Sequence, residues 1–427
     1  MKASEVFEQW YSELQVNFKS LTHPDPDLVS AVSNANQPIH RWYSLKEGFS
    51  SALPVWVVNF LSTTYNAKIS RVIDPFVGGG TTGVSLALTG MDVDGIEYNP
   101  FIRFVSNTKS QYPRLLKADL LQAIARVDFE AEHDSIQLPV LTTLNNTQYF
   151  RYEDVSLMCL IIHQIRRLQI HTVVRDALLL GVAAAIDSVG HLRKDGRALR
   201  YAEKPHRPTA KIAIEAQWAK ILEDVERFTF RSAFNVHHGS AVNLRDVAED
   251  CTYDLALYSP PYLNNFDYSE IYKLELWMLD YISNTEDWRA LRKSSLRSHP
   301  SINFDRPSVF DGLPEMGEIY AKLKCMKQAT ILTGESSAIS KIVIGYFEDM
   351  YLALKEQWRI LKPGGFLVYI VANSRHKYLP IATDVILGEI ARQIGFVPLN
   401  LVTLKHRNGR TRQKKFLRET ATILRKP

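Results

Sequence analysis

The sequence predicts an α/β protein of Rossmann-like type built on a mainly parallel sheet, and three observations carry that expectation. Residues 71–83 read Arg-Val-Ile-Asp-Pro-Phe-Val-Gly-Gly-Gly-Thr-Thr-Gly: a short apolar strand at Val72 and Ile73, a glycine loop, and a helix starting at Thr81. Residues 346–361 put Phe347, Met350, Leu354, Trp358 and Leu361 on one helical face, and Lys362-Pro363-Gly364-Gly365 then stops that helix. The run Phe366 to Val371 follows, continuously apolar, as a strand buried on both faces should be.

The glycine loop is the stretch around which the rest is organised. Glycines can take positive φ and let a ligand touch the backbone, and the free N–H groups of a helix start point at that ligand. Gly78, Gly80 and Gly83 have the G-x-G-x-x-G spacing of dinucleotide-binding folds. Glu97 ends a second short strand within 91–101, where a carboxylate can accept hydrogen bonds from ribose hydroxyls. No Lys follows the last glycine, which excludes a Walker phosphate loop. On spacing alone a nicotinamide-dependent oxidoreductase stays open.

Composition narrows the class. At 427 residues, 46% hydrophobic and 23% charged, the chain suits a large globular domain with an insertion. It lacks a run of about 18 apolar residues, so no membrane span is expected, and the charged start Met-Lys-Ala-Ser-Glu reads as no signal peptide. An intracellular, cytoplasmic protein is the expectation. Cys159, Cys251 and Cys325 are far apart, form no C-x-x-C pair and read as buried structural thiols, with no metal site. The net charge of +5 is compatible with nucleic acid.

In chain order, residues 1–38 read as a helical arm with Trp10, Tyr11, Leu14 and Phe18 at helical spacing, then a connector. Ser50 or Ser51 can cap a helix carrying Leu53, Val57 and Leu61. Residues 111–232 read as a helical insertion, with Leu157, Leu160, Ile161, Ile165 and Leu168 on one face and an Ala/Leu-rich run from Ala177 to Ile186. Within it lies a basic loop holding Arg193, Lys194, Arg197, Arg200, Lys204 and Arg207, a phosphate-contacting arm or a solvated loop. Third and fourth strands are expected at 234–244 and 254–262, and an irregular excursion at 284–340. Phe396 to Leu404 and Phe416 to Leu424 can pair as a hairpin around Asn408-Gly409, with Arg410 and Arg412 at its basic tip.

Asp74-Pro75-Phe76 with its glycines and threonines, followed by Ser259-Pro260-Pro261-Tyr262 after the fourth strand, resembles the DNA amino-methyltransferase family. That family methylates the exocyclic amine of cytosine (N4) or adenine (N6). The resemblance covers about 39–110 and 233–427, the catalytic domain it implies. It implies an S-adenosylmethionine methyltransferase fold: a mainly parallel seven-stranded sheet with an antiparallel C-terminal hairpin, plus the helical insertion. It implies S-adenosyl-L-methionine as cofactor, held by Asp74, Phe76, Gly78, Gly80, Thr81, Thr82 and Glu97, with Phe49 and Ser50 on its far side. Ser240 stands where the family commonly places an acid for the adenine amine, a departure that weakens that contact.

The catalytic set so implied is Ser259, Pro260, Pro261 and Tyr262. Ser259 Oγ and the Pro260 carbonyl can accept from the target amine, Pro260 and Pro261 stiffen the loop, and Tyr262 offers a ring to a flipped base. Double-stranded DNA is the implied partner, contacted by Arg193, Lys194, Arg197, Arg410 and Arg412, and a cognate restriction endonuclease or defence partner is a further one. Ser at 259 leans to N4 of cytosine, with N6 of adenine the alternative. The cysteines lack the Pro-Cys nucleophile of C5 methylation. A non-catalytic DNA-binding module on the same fold also stays open, motivated by Ser240 and the insertion.

Overall fold

A computed structural model describes the chain apart from residues 1–2, 46, 133–135, 196–197, 265, 305, 333–336, 377–378 and 408–415. Its main sheet has eight strands: β1 Lys19–Thr22, β2 Arg71–Asp74, β3 Asp92–Glu97, β4 Phe234–His238, β5 Tyr253–Tyr258, β6 Leu361–Ala372, β7 Val397–His406 and β8 Arg418–Arg425. Their order across the sheet is β1-β7-β8-β6-β5-β2-β3-β4. Only β8 runs antiparallel to its neighbours. The Rossmann-like expectation holds, hairpin included.

Period-two alternation buries both faces. Along β2, Val72 joins one apolar cluster and Ile73 the other; along β6, Phe366, Val368 and Ile370 join the first, and Leu367, Tyr369 and Val371 the second. Helices Ala52–Tyr65, Thr81–Thr89 and Pro100–Ser110 cover the first face. Helices Ser337–Ile360 and Thr383–Ile394 cover the second, joined by the N-terminal helix Ala3–Gln15.

The insertion forms helices Lys117–Ile124, Tyr152–Arg167, Thr172–Val189 and Ala210–Asp224, and their buried side chains belong to the same cluster as Val72 and Leu255. One fully buried carboxylate ties it down. Asp224 Oδ2 accepts from the Ile39 amide at 2.8 Å, Arg41 Nε at 3.0 Å and Trp42 Nε1 at 3.0 Å.

Four expectations change. The sheet has eight strands and not seven, because residues just after the N-terminal helix pair in parallel with β7 from Lys19↔Asn400 to Thr22↔Thr403. Phe18, at that junction, packs against Gly388, where an added Cβ would lie 2.5 Å from its ring. The stretch 284–340 is largely helical: Thr285–Ser294, Gly317–Leu332 and the start of Ser337–Ile360. Among its described side chains the middle helix buries Ile319, Leu323, Met326, Ala329 and Thr330, too narrow a stripe to stand out in the sequence. The basic loop is a two-stranded ribbon, Leu192–Lys194 with Leu199–Tyr201. Cys251 and Cys325 are exposed, not buried; Cys325 faces away from the inward stripe of its helix. The Asn408-Gly409 turn lies outside the described residues. Among those residues no helix is long and apolar enough to cross a membrane, and no cluster of three potential metal ligands occurs.

The helix after the glycine loop approaches β4 very closely. A Cβ on Gly83 would lie 2.1 Å from the Phe234 ring. Gly83→Ala is therefore expected to lower stability by about 1–3 kcal/mol, the cost of overpacking a filled core. Thermal melting checks this, and Phe234→Leu in the same chain should recover part of the loss.

Candidate active site

The site lies where the strand order reverses. β2 leads through its helix to β3 on one side and neighbours β5 on the other, and in open parallel sheets ligands settle in the crevice outside the carboxyl ends at such a point. β2 and β5 pair directly, Val72 with Leu255 and Ile73 with Ala256. The glycine loop leaves β2 and the Ser-Pro-Pro-Tyr loop leaves β5 at the same edge. Two adjoining cavities share Leu45, Glu47, Phe76, Gly78 and Ser259 in their walls.

The first cavity also takes Glu97, Ser240 and Pro261 from the predicted set; the second takes Phe49, Asp74 and Thr81. The other predicted residues support these walls. Gly80 is the N-cap of helix Thr81–Thr89 at φ 84°. Thr82 is fully buried and donates to Asp74 Oδ2 at 2.6 Å, while the Phe76 amide donates to Oδ1 at 3.0 Å. Ser50 is buried and its hydroxyl accepts from the Ala52 amide at 3.3 Å. Thr82 and Ser50, both expected to contact the cofactor, make these hydrogen bonds within the protein and stand behind the residues that line the two cavities.

Glu97 accepts from the Asn99 amide at 2.8 Å and from the amides of Tyr98 and Gly78. Burial nonetheless pushes the Glu97 and Asp74 carboxyls up to about 7. Lys109, unmarked in the sequence, is buried with its ammonium donating to the carbonyls of His40 (3.2 Å), Tyr43 (2.9 Å) and Gly79 (3.0 Å). It ties the segment before the helix Ala52–Tyr65 to the glycine loop, and burial lowers its pKa to about 7.

Ser259 donates to the Tyr262 hydroxyl at 3.3 Å, and Tyr262 donates to Glu419 Oε1 at 2.6 Å. Glu419 sits on β8, 157 residues away, with Arg407 3.7 Å from its other oxygen. Burial raises the Glu419 carboxyl above its ordinary range, against the hydrogen bond from Tyr262 and the charges of Arg407 and Lys405.

The segment Ser294–His299, read in the sequence as part of an excursion, closes the first cavity with Tyr98, Asp267 and Tyr268. Asp267 anchors it: its Oδ2 accepts from Arg292 at 2.5 and 3.1 Å and lies 3.6 Å from His299 Nδ1. Burial acts to raise Asp267, but His299, Ser269 and Arg292 hold it below the usual carboxylate range. The sequence carries only a weak signal for this wall, because Arg292 and His299 stand among other basic residues of a polar, weakly periodic stretch.

The predicted phosphate contacts divide. Arg193 is exposed on the ribbon. Lys194 is not: alternation turns it inward, where it is buried against Glu275 at 2.5 Å and Asp187 at 3.1 Å, beside the Tyr43 and Tyr272 rings. Its predicted role is corrected to a buried ion pair. Arg197, Arg410 and Arg412 lie outside the described residues.

No family model matches the chain. Among solved structures, a SAM-dependent methyltransferase from Methanosarcina mazei is 9% identical and overlays with a TM-score of 0.29, covering 85% of this chain and 96% of that one. The sequence relatives reach further. The Type II methyltransferase M.BsoBI of Geobacillus stearothermophilus is 26% identical over 453 residues, 94% of this chain and 88% of its own. The Type II methyltransferase M.AvaI of a Nostoc strain is 27% identical over 438 residues, 94% of this chain and 89% of its own. Along almost its entire length, this chain is similar to Type II methyltransferases.

Proposed function

We propose that the chain is a site-specific DNA methyltransferase that moves a methyl group from S-adenosyl-L-methionine to an exocyclic base amine, N4 of cytosine being the favoured target. One observation carries the reading: Gly78 and Ser259, about 180 positions apart, line the same two cavities. The relatives named Type II methyltransferases support it, and modification of host DNA alongside a cognate endonuclease is the role we propose with it.

The residues fit the cofactor. Glu97 offers carboxylate oxygens at the end of β3 in a cavity walled by Phe76 and Ile96, suited to a ribose and its base. The second cavity, with Asp74, Thr81 and the glycine backbone, takes the amino-acid end. When bound, S-adenosylmethionine supplies an electrophilic methyl on a sulfonium.

The chain's part is to make a poor nucleophile aim well. The base amine's lone pair is delocalised into its ring. Ser259 Oγ and the Pro260 carbonyl accept its two N–H groups, localise the lone pair and stabilise the positive charge that grows on nitrogen. The bound cofactor would supply the methyl carbon to that nitrogen with loss of its carbon–sulfur bond, and the amine would release one proton to solvent. Positioning supplies most of the rate. This chemistry requires no covalent enzyme intermediate.

Incubation with labelled cofactor and unmethylated duplex DNA should give N4-methylcytosine on nucleoside analysis. N6-methyladenine instead would move the target to adenine, and label confined to RNA or protein would end the DNA reading. Ser259→Ala is expected to lower kcat by about 10²–10³, the usual effect of deleting one such polar group at a developing charge, with a much smaller effect on cofactor affinity.

Cofactor binding should also follow pH. Ribose hydroxyls donate, so they need the ionised form of Glu97, which is lost as pH falls through about 7. Affinity should therefore rise by about tenfold from pH 6 to pH 8. In Glu97→Gln, calorimetry should find weaker binding and a flatter profile, with any remaining slope assigned to Asp74 and Lys109, which line the second cavity and also titrate near 7.

A further inference from the structure

We propose that Glu419 is a positioning residue for methyl transfer, which acts through Tyr262 to fix the direction of the Ser259 hydroxyl. The inference rests on the reading of Ser259 as the acceptor for the base amine.

Proton counting makes the argument. A hydroxyl has one proton to donate and two lone pairs, whereas a carboxylate can only accept. Tyr262 spends its proton on Glu419 Oε1 at 2.6 Å. Its oxygen can then only accept from Ser259, 3.3 Å away, so Ser259 spends its own proton on Tyr262. Among the described residues no side-chain or backbone group donates to Ser259 Oγ, so its lone pairs remain for a donor in the cavity that it lines, and the N–H of a base amine is such a donor. Without Glu419 the chain can reverse. Tyr262 would then donate to Ser259 Oγ, and the freed Ser259 proton could turn to the amine lone pair, the electrons that must attack the methyl group.

Glu419 is well placed to impose this order. It is 6% exposed and sits inside the sheet, in register with Ala372 of β6 and Lys405 of β7. Arg407 and Lys405 beside it counter the burial that raises its carboxyl, and with or without a proton on Oε2, on the Arg407 side, its Oε1 still accepts from Tyr262. The same anchor holds the Tyr262 hydroxyl beside Ser259. The C-terminal hairpin therefore contributes to the site as well as closing the sheet.

The test compares Glu419→Ala, Glu419→Gln, Tyr262→Phe and the Ala/Phe double variant. It measures single-turnover methyl transfer to unmethylated duplex DNA of mixed sequence, with cofactor affinity by calorimetry. Glu419→Ala should slow transfer by about tenfold to hundredfold, the scale of a misplaced reacting group, with cofactor affinity unchanged. Glu419→Gln should recover most of the rate, since its amide oxygen still accepts from Tyr262. In the Tyr262→Phe background, Glu419→Ala should add nothing, because the route is already cut. A Glu419→Ala rate equal to wild type, or losses that add to those of Tyr262→Phe, would overturn the inference. Should Glu419→Ala melt below the assay temperature, Glu419→Met fills the same space without an acceptor and carries the same expectations. A wild type without transfer, or one indifferent to Ser259→Ala, would instead end the reading of Ser259 itself.

Discussion

The hydrogen-bonded pairing of β2 with β5 brings together everything chemical in this molecule. Arg71–Asp74 and Tyr253–Tyr258 lie side by side and in parallel, so the loops that leave them emerge at the same edge. A glycine loop on any other strand would face a different neighbour. The sheet is therefore more than a scaffold, because its strand order converts two segments distant in sequence into the facing walls of one cleft. The burial of both faces makes the order costly to change, since slipping a strand by one residue would exchange its two apolar faces.

Around that pairing, the loops are held by polar groups buried deep in the protein. Asp74 is fixed by Thr82 and the Phe76 amide, Lys109 gathers three carbonyls including that of Gly79, and Asp224 collects the 39–42 segment. Burying such groups is unfavourable unless each is satisfied. Their reward is position: the backbone that a ligand would touch is held from behind. Burial also moves Asp74, Glu97 and Lys109 all towards neutral pH, so the site's charge depends on what binds in it.

The helical insertion and the termini belong to the same body. The insertion's helices share the apolar cluster of the sheet, and Lys194, from its ribbon, reaches Glu275 beside the site-lining Tyr272. The N-terminal helix lays Tyr11 against the 379–381 strand, where its hydroxyl donates to the Pro380 carbonyl at 2.9 Å. β1 then adds an edge strand to the sheet. Residues far from the glycine loop thus set its surroundings, as Glu419 does for Ser259.

The sequence alone determined the glycine loop, the ends of the parallel strands, the Ser-Pro-Pro-Tyr turn and the final hairpin, down to Glu97 at the end of β3. These are written in contiguous residues, where φ freedom, strand alternation and helix stops act over a few positions. Only the tertiary structure decided that Thr82 props Asp74, that Lys194 turns inward, that Ser294–His299 closes the cavity, and that Glu419 holds Tyr262. Each of those depends on a partner far along the chain or on the face a residue presents, and periodicity in a short polar stretch carries no record of either. The same limit hid β1, whose four residues become a strand only because β7 offers them an unpaired edge.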